Sequence, residues 1–367
     1  MTNIARIEKL NTERKLSRDE WYQLIASFTE DDREYAGKLA SKITAEVFGN
    51  QIFIRGLIEF SNLCRNDCLY CGIRHSNRKA ERYCLSDEDI LRSCAEGYSL
   101  GYRTFVLQSG ENSYCEEPRF VSLIRKIKGL YPDCAITLSV GERSRETYEA
   151  MYRAGADRYL LRHETADAKH YTMLHPTEMS FEHRLQCLWN LKEIGFQTGC
   201  GMMVGTPGQT PETLAKDMEL MYALQPAMAG IGPFIPHSDT PFARCVSGNQ
   251  KLTLFLLSLT RIMLPNVLLP ATTALSTAEQ SGRTQGILAG CNVVMLNLTP
   301  QNVRKKYTLY NGRPETELIA EESLKLLKAE LKPIGRVAVV DRGDHRDFEG
   351  NNRNEENIRK TFGGDVK

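Results

Sequence analysis

QIFIRGLIEFSNLCRNDCLYCGIR, residues 51–74, is the stretch on which the fold turns. Its first ten residues are a short apolar, β-branched run, and three cysteines follow at C-x3-C-x2-C spacing. Upstream the texture is helical. Ser17 and Glu20 form a capping box ahead of Trp21, Leu24 and Ile25, and a second amphipathic run covers 30 to 48, so residues 1–50 read as an N-terminal helical extension. Downstream, apolar runs alternate with helical stretches: TFVLQSG, AITLSVG, RYLLRHE, QTGCGMMVG, MAGIGPFI, LLPATTA and NVVMLNL. With QIFIRGLIEF these make eight. Strands alternating with helices in that number predict an α/β fold, a (β/α)8 TIM-type barrel over 51–333, with its active site at the C-terminal ends of the strands.

Polar and glycine residues gather at those ends: Ser109, Gly110 and Glu111; Ser139; Arg162, His163 and Glu164; Thr272 and Thr273. Beyond Pro300 come Tyr307, Tyr310 and a helix near 318 to 331. The remainder, 334–367, contains DRGDHRDFEGNNRNEENIRK and reads as a poorly ordered polar C-terminal tail.

Composition narrows the function. Of 367 residues, 41% are hydrophobic and 25% charged, the balance of a globular enzyme and not of a disordered chain. A net charge of +1 leaves no electrostatic footprint for nucleic acid or an anionic membrane, so a small-molecule or protein partner is expected. No window approaches the roughly 18 apolar residues of a membrane span, and the expected compartment is the cytoplasm. Eleven cysteines are an odd number without the spacing of a disulfide scaffold, which suits a reducing cell. Cys84, Cys94, Cys187 and Cys245 sit singly and read as small hydrophobes.

Cys64, Cys68 and Cys71 are different, because buried structural cysteines rarely bunch in one loop. A structural zinc site is normally closed by four ligands, and the nearest fourth candidate, His75, follows only four residues later. Three thiolates suit a 4Fe-4S cluster whose fourth iron has no protein ligand.

With Tyr70 ahead of the last cysteine, the motif resembles the signature of the radical S-adenosylmethionine superfamily, which carries it after the first strand of a barrel. The resemblance implies one 4Fe-4S cluster and S-adenosylmethionine as cofactors, and an external electron donor. The amino and carboxylate groups of S-adenosylmethionine would bind the fourth iron. One electron would then break the sulfonium bond, giving methionine and a 5′-deoxyadenosyl radical in a water-poor cavity. Carried onto this chain, the cofactor contacts would be Tyr70, Ser109, Gly110 and Glu111, with Glu164 accepting the ribose hydroxyls and Arg184 approaching the carboxylate. GMMVGTPGQT resembles the adenine-contact motif, and Met203 and Met228 would line the cofactor.

Across 16–333 the likeness is narrower. LIEFSNLCRNDCLYCGIR, LQSGE, ADRYLLRHETAD, SFEHRLQCL, MVGTPGQT, GIGPFIPHSDTPFA and LPATTA resemble the HydE family of FeFe-hydrogenase maturases. That family helps build the di-iron subcluster of the hydrogenase, on a small anionic iron cyanide carbonyl species with a cysteine-derived ligand. Other hydrogenase maturases are implied as partners. The implied substrate pocket is Arg162, Thr137, Ser139, Thr272, Thr273, Met295, Tyr307 and Tyr310, in which one guanidinium and several hydroxyls suit an anion. Some members carry a second cysteine cluster near the C-terminus; YNGRPETELIAEESLKLL has no Cys, so one cluster is expected here. The rivals are a 3-methylornithine synthase, a biotin synthase and, in another class, a non-catalytic zinc-binding interaction protein. LLPATTA lacks the strand-seven arginine that ligates the sacrificial cluster of biotin synthases.

Overall fold

β1 (Gln51–Ser61) is buried at every residue after the first, the pattern of a parallel strand covered on both faces. Ile52, Ile54, Ile58 and Phe60 join the core beneath the helices. The alternate residues, Phe53, Arg55, Leu57 and Glu59, take the other face of the pleat and point into the ring. The computed structural model describes residues 1–313 and 318–348.

Parallel to β1 run β2 (Thr104–Ser109), β3 (Ala135–Ser139), β4 (Arg158–Leu160) and β5 (Gln197–Cys200), which resumes beyond Gly201 as β6 (Met203–Val204). Then come β7 (Met228–Ala229), its continuation β8 (Gly232–Pro233), and β9 (Val293–Asn297), which pairs back onto β1. The ring closes through single bridges, Leu268 to Met228 and Pro270 to Val293. LLPATTA is therefore the seventh stave, reduced to bridges because Pro270 has no amide to donate to a ladder. The barrel expected from the alternation is the one observed.

Helices fill the crossovers, among them Asp87–Ser99, Phe181–Ile194 and Pro211–Leu224, started by the side chains of Ser86, Ser180 and Thr210. Upstream of β1 lie helices Asn3–Glu13, Arg18–Ser27 and Glu30–Phe48, and the Ser17–Glu20 capping box forms as read. Phe48 joins Phe53, Met228, Leu268 and Val293 in a cluster at the lower, N-terminal ends of the strands. Among the described residues no helix is long and apolar enough to cross a membrane.

The tail departs from expectation. Val337–Val339 form β10, paired with Gln51–Phe53 of β1. Beyond it Asp344 accepts hydrogen bonds from Arg158 Nη2 (2.5 Å), Gln197 Nε2 (2.6 Å) and Arg342 Nε (2.7 Å), while Arg342 Nη2 reaches Asp157 (3.0 Å). Polar composition suggested a solvated segment, but these charges neutralise others buried in the barrel floor. The stretch from 349 lies outside the described residues.

Candidate active site

Between Glu59 and Ser61 the register of β1 against β2 shifts, and the irregularity turns the chain out of the ring into the loop 62–86. Asn62 secures the loop: its Nδ2 donates to the carbonyls of Glu81 (2.8 Å) and Lys306 (2.7 Å) and its Oδ1 accepts from Tyr83 N (2.8 Å). Arg82 clamps it from within, donating to the carbonyl oxygens of Asn62, Ile73 and Arg74 at 2.8, 2.8 and 2.6 Å. Gly110, at the top of β2, lets the loop come close, since a Cβ there would stand 2.3 Å from Leu63 O and 2.8 Å from Cys64 Cβ.

Cys64, Cys68 and Cys71 are half-buried and free of disulfides. Burial pushes their thiols up, Cys71 to about 12 with Cys64 adding to the effect. Such thiols stay protonated unless a cation takes the proton's place. A group of three His, Cys, Asp or Glu ligand atoms within 4.8 Å of one another occurs among the described residues at Glu142, His183 and Cys187, not at the three cysteines. A single zinc with bonds of about 2.3 Å needs its sulfurs only about 3.8 Å apart. Three cysteines in one loop suit a 4Fe-4S cluster that leaves one iron without a protein ligand.

Tyr70 donates its hydroxyl to His175 Nε2 (3.2 Å), and His175 Nδ1–H donates to Tyr171 O (3.0 Å), since a carbonyl can only accept. At the top of β2, Ser109 Oγ donates to Gly110 O (2.7 Å). The Glu111 carboxylate accepts from Arg65 Nε (2.9 Å) and Glu142 N (2.7 Å), which ties it to the cysteine loop.

Beyond β4, Arg162 and Glu164 form a fork: Nη2 to Oε2 is 2.6 Å and Nε to Oε1 is 3.1 Å. Burial alone would raise the Glu164 carboxyl, but Arg162 and then Arg184 outweigh it and hold it low. Glu164 has φ +63°, a left-handed conformation uncommon outside glycine. Arg184 donates Nη1 to Arg162 O (2.6 Å) and Nε to Glu142.

A cavity of about 740 Å³ reaches Leu57, Thr273, Met295, Tyr307 and Tyr310. Tyr307 accepts from Gln108 Nε2 (3.2 Å). Ser139 ends β3, half-buried. Among the described residues, Thr137 Oγ1, Thr272 Oγ1 and both Nε and Nη2 of Arg55 are buried without a protein partner. Met203 stands in β6, one residue past the Glu164–Met202 bridge and so at the upper end. Met228 does not: its register with Gly199 puts it in the lower cluster, with Arg55 Nη1 3.1 Å from its sulfur.

Residues 58–221 match the Radical SAM superfamily profile. The chain is 43% identical to the [FeFe] hydrogenase maturase subunit HydE of Thermotoga maritima over 313 residues, 85% of this chain and 89% of that one. This chain belongs to the HydE family of radical S-adenosylmethionine enzymes. It is also 29% identical to a 3-methylornithine synthase of Methanosarcina acetivorans, over 78% of this chain and 81% of that protein. The crystal structure of methylornithine synthase superposes with a TM-score of 0.80 at 25% identity, covering 91% of this chain and 97% of that one. A HydE-family chain is an enzyme of FeFe-hydrogenase maturation that uses a 4Fe-4S cluster and S-adenosylmethionine. Three half-buried cysteines free of disulfides in one loop fit the cluster, and the Arg184 guanidinium and the Glu111 carboxylate have the two charges that a zwitterionic methionine moiety calls for.

Several residues of this HydE-family site escaped the sequence reading. Arg55 and Glu59 were signalled by their place in an apolar run, QIFIRGLIEF, where a charge must face something particular. Glu59 pairs with Arg313 and accepts from Asn297 Nδ2 (3.0 Å). His175 and Glu142 carried no such signal, because only tertiary structure brings them to Tyr70 and Arg184.

Proposed function

We propose that Cys64, Cys68 and Cys71 hold the cluster, that Tyr70, Ser109, Gly110, Glu111, Glu164, Arg184 and Met203 surround S-adenosylmethionine, and that the substrate lies below them inside the barrel. When bound, the cluster supplies the electron that releases a 5′-deoxyadenosyl radical from S-adenosylmethionine. The chain's own residues then orient and shield. Arg184 offers its guanidinium to the cofactor carboxylate, Glu164 accepts the ribose hydroxyls, and the closed ring excludes water.

The substrate in this reading is a small anionic iron cyanide carbonyl species with a cysteine-derived ligand, processed on the way to the di-iron subcluster. Arg162, Thr137, Ser139, Thr272, Thr273, Met295, Tyr307 and Tyr310 would hold it. One observation carries this reading: the unpartnered hydroxyls of Thr137 and Thr272 and the unpartnered N–H groups of Arg55 all belong to inward-facing positions of the ring. Buried polar groups normally have partners, and donors of this kind suit an anion. The catalytic unit would be 51–333, working in a reducing cytoplasm with an external electron donor and the other hydrogenase maturases. Eleven cysteines free of disulfides support that setting.

The test separates cofactor from substrate. Thr137→Val and Thr272→Val keep shape and remove the hydroxyl. The double variant should still form 5′-deoxyadenosine, yet fail to support hydrogenase activation when mixed with the other maturases under anaerobic conditions. Full activation by that variant would overturn the substrate assignment. Loss of deoxyadenosine formation with normal iron content would move the two threonines into the cofactor site.

A further inference from the structure

Arg162, His163 and Glu164 alternate across the end of β4. The first and third meet in the fork described above, while His163 points the other way and is fully buried. Its Nδ1 accepts from Gly201 N (3.2 Å). Below it the β4–β5 ladder is regular, with Leu161 N donating to Gly199 O (3.0 Å), and above it Glu164 N donates to Gly201 O (3.0 Å). The imidazole thus occupies the step at which a strand carbonyl would ordinarily accept.

That contact fixes the tautomer. A ring nitrogen that accepts from an amide carries no hydrogen, so the remaining hydrogen of the neutral ring sits on Nε2. Nε2 faces Asp217 Oδ1 at 3.3 Å, on helix Pro211–Leu224, and Asp217 is also fully buried. The same Oδ1 accepts from Ala166 N (2.5 Å). Asp217 thus holds the chain directly at Ala166, just past Glu164, and lies against the His163 imidazole, whose Nε2 approaches it without making an aligned hydrogen bond.

Between Gly201's contact with His163 and Asp217's with Ala166 lies the left-handed Glu164, a backbone conformation that is strained for a residue other than glycine. On the other strand Gly201 has no slack, since a Cβ there would stand 2.1 Å from Gly230 O. We propose that His163, packed against Asp217, is a positioning residue that substitutes for a ladder carbonyl and thereby keeps Glu164 in the strained conformation that aims its carboxylate into the barrel. The inference rests on the reading of Glu164 as a cofactor contact.

The variants follow from the geometry. In His163→Asn the amide oxygen stands where Nδ1 stands and can accept from Gly201, although the contact with Asp217 is gone. In His163→Phe the ring volume remains and the acceptor is lost, which leaves a buried N–H unpaired. That loss is worth about 1–3 kcal/mol, or about 5- to 150-fold in an equilibrium constant. Binding of S-adenosylmethionine to the reconstituted enzyme is measured through the change in the electron paramagnetic resonance signal of the reduced cluster, with iron content as a check on folding.

His163→Phe should weaken binding at least about tenfold, and His163→Asn should restore it to within about threefold of the parent. Combined with Glu164→Gln, His163→Phe should add almost nothing, because both act through one carboxylate. His163→Leu serves the same comparison if the phenylalanine chain does not fold. Normal affinity in the folded variant without the acceptor, or additive losses in the double variant, would overturn the positioning role while leaving Glu164 as a contact. Normal affinity in Glu164→Gln alone would overturn both.

Discussion

Asp344→Ala should destabilise the enzyme from the end of the barrel opposite its chemistry. Arg158 is fully enclosed, and Asp344 supplies its carboxylate, 2.5 Å from Nη2. The remaining contacts of that guanidinium are neutral: Arg342 O at 2.7 Å, Thr104 Oγ1 at 3.0 Å and Gln197 Oε1 at 3.4 Å. Removing one partner of a buried pair costs about 3–5 kcal/mol. Because the Asp344 side chain is 25% exposed, the lower end applies, about 3 kcal/mol. With about 2.1 cal/mol/K of unfolding entropy per residue, that lowers the midpoint by about 4 °C. Calorimetry of anaerobically reconstituted proteins at one scan rate measures the shift. Burial opposes ionisation of Asp344, but Arg158 and Arg342 win and hold its carboxyl below the usual range. Its contribution is therefore complete above pH about 4 and fades as pH falls, so parent and variant should converge in acid. Pairing Arg158→Met with Asp344→Leu should recover most of the loss. A single variant within about 1 °C of the parent, or a double variant no better than the single, would refute the account.

Replacing any one of Cys64, Cys68 or Cys71 by Ala should abolish 5′-deoxyadenosine formation, while the parent holds about four iron and four sulfide per chain by chemical analysis; about eight iron would show a second cluster. Gly110→Ala places a methyl group against Leu63 O and Cys64 Cβ, so it should cost about 1–3 kcal/mol and lower iron retention, read by iron analysis after desalting. Burial, followed by Arg184, pushes His175 down to about 4 from the ordinary 6.5, and the unfolded chain then binds more protons between those values. Stability should accordingly rise with pH across that window, and urea midpoints of His175→Phe should be less steep there than those of the parent.

The ring was legible because hydrophobic runs such as AITLS and VVMLN are strand-length and bounded by turn residues, and only Pro270 blurred one of them. The cysteine motif was legible for a chemical reason, since its ligands are adjacent in the chain. Partnerships across elements were not. Arg162 and Glu164 were assigned separate duties, to substrate and to cofactor, yet they meet in one ion pair just beyond the end of β4, where Glu164 takes its left-handed conformation. Replacing Arg162 therefore disturbs Glu164 as well, which is why the substrate test above uses threonines. Met228 looked like its neighbours on other strands, and only register lowered it to the floor. The segment DRGDH looked solvated because composition counts charges and cannot show that Arg158, far upstream, needs one of them.

The bonds that seal the barrel floor also set an order of events during synthesis. Arg158 is separated by 186 residues from the carboxylate that neutralises it, and Thr104 by 238 from the Arg342 carbonyl to which it donates. At roughly 5–20 residues per second, Arg158 leaves the ribosome about 10–40 s ahead of Asp344. Strands β5 to β9 are themselves made during that interval, and after β9 (Val293–Asn297) is out the barrel still lacks its counter-charge, so the floor is the last part that can become native. A chain interrupted before residue 342 would retain every residue proposed to hold the cofactor and still be left with a buried arginine that has no carboxylate at its base.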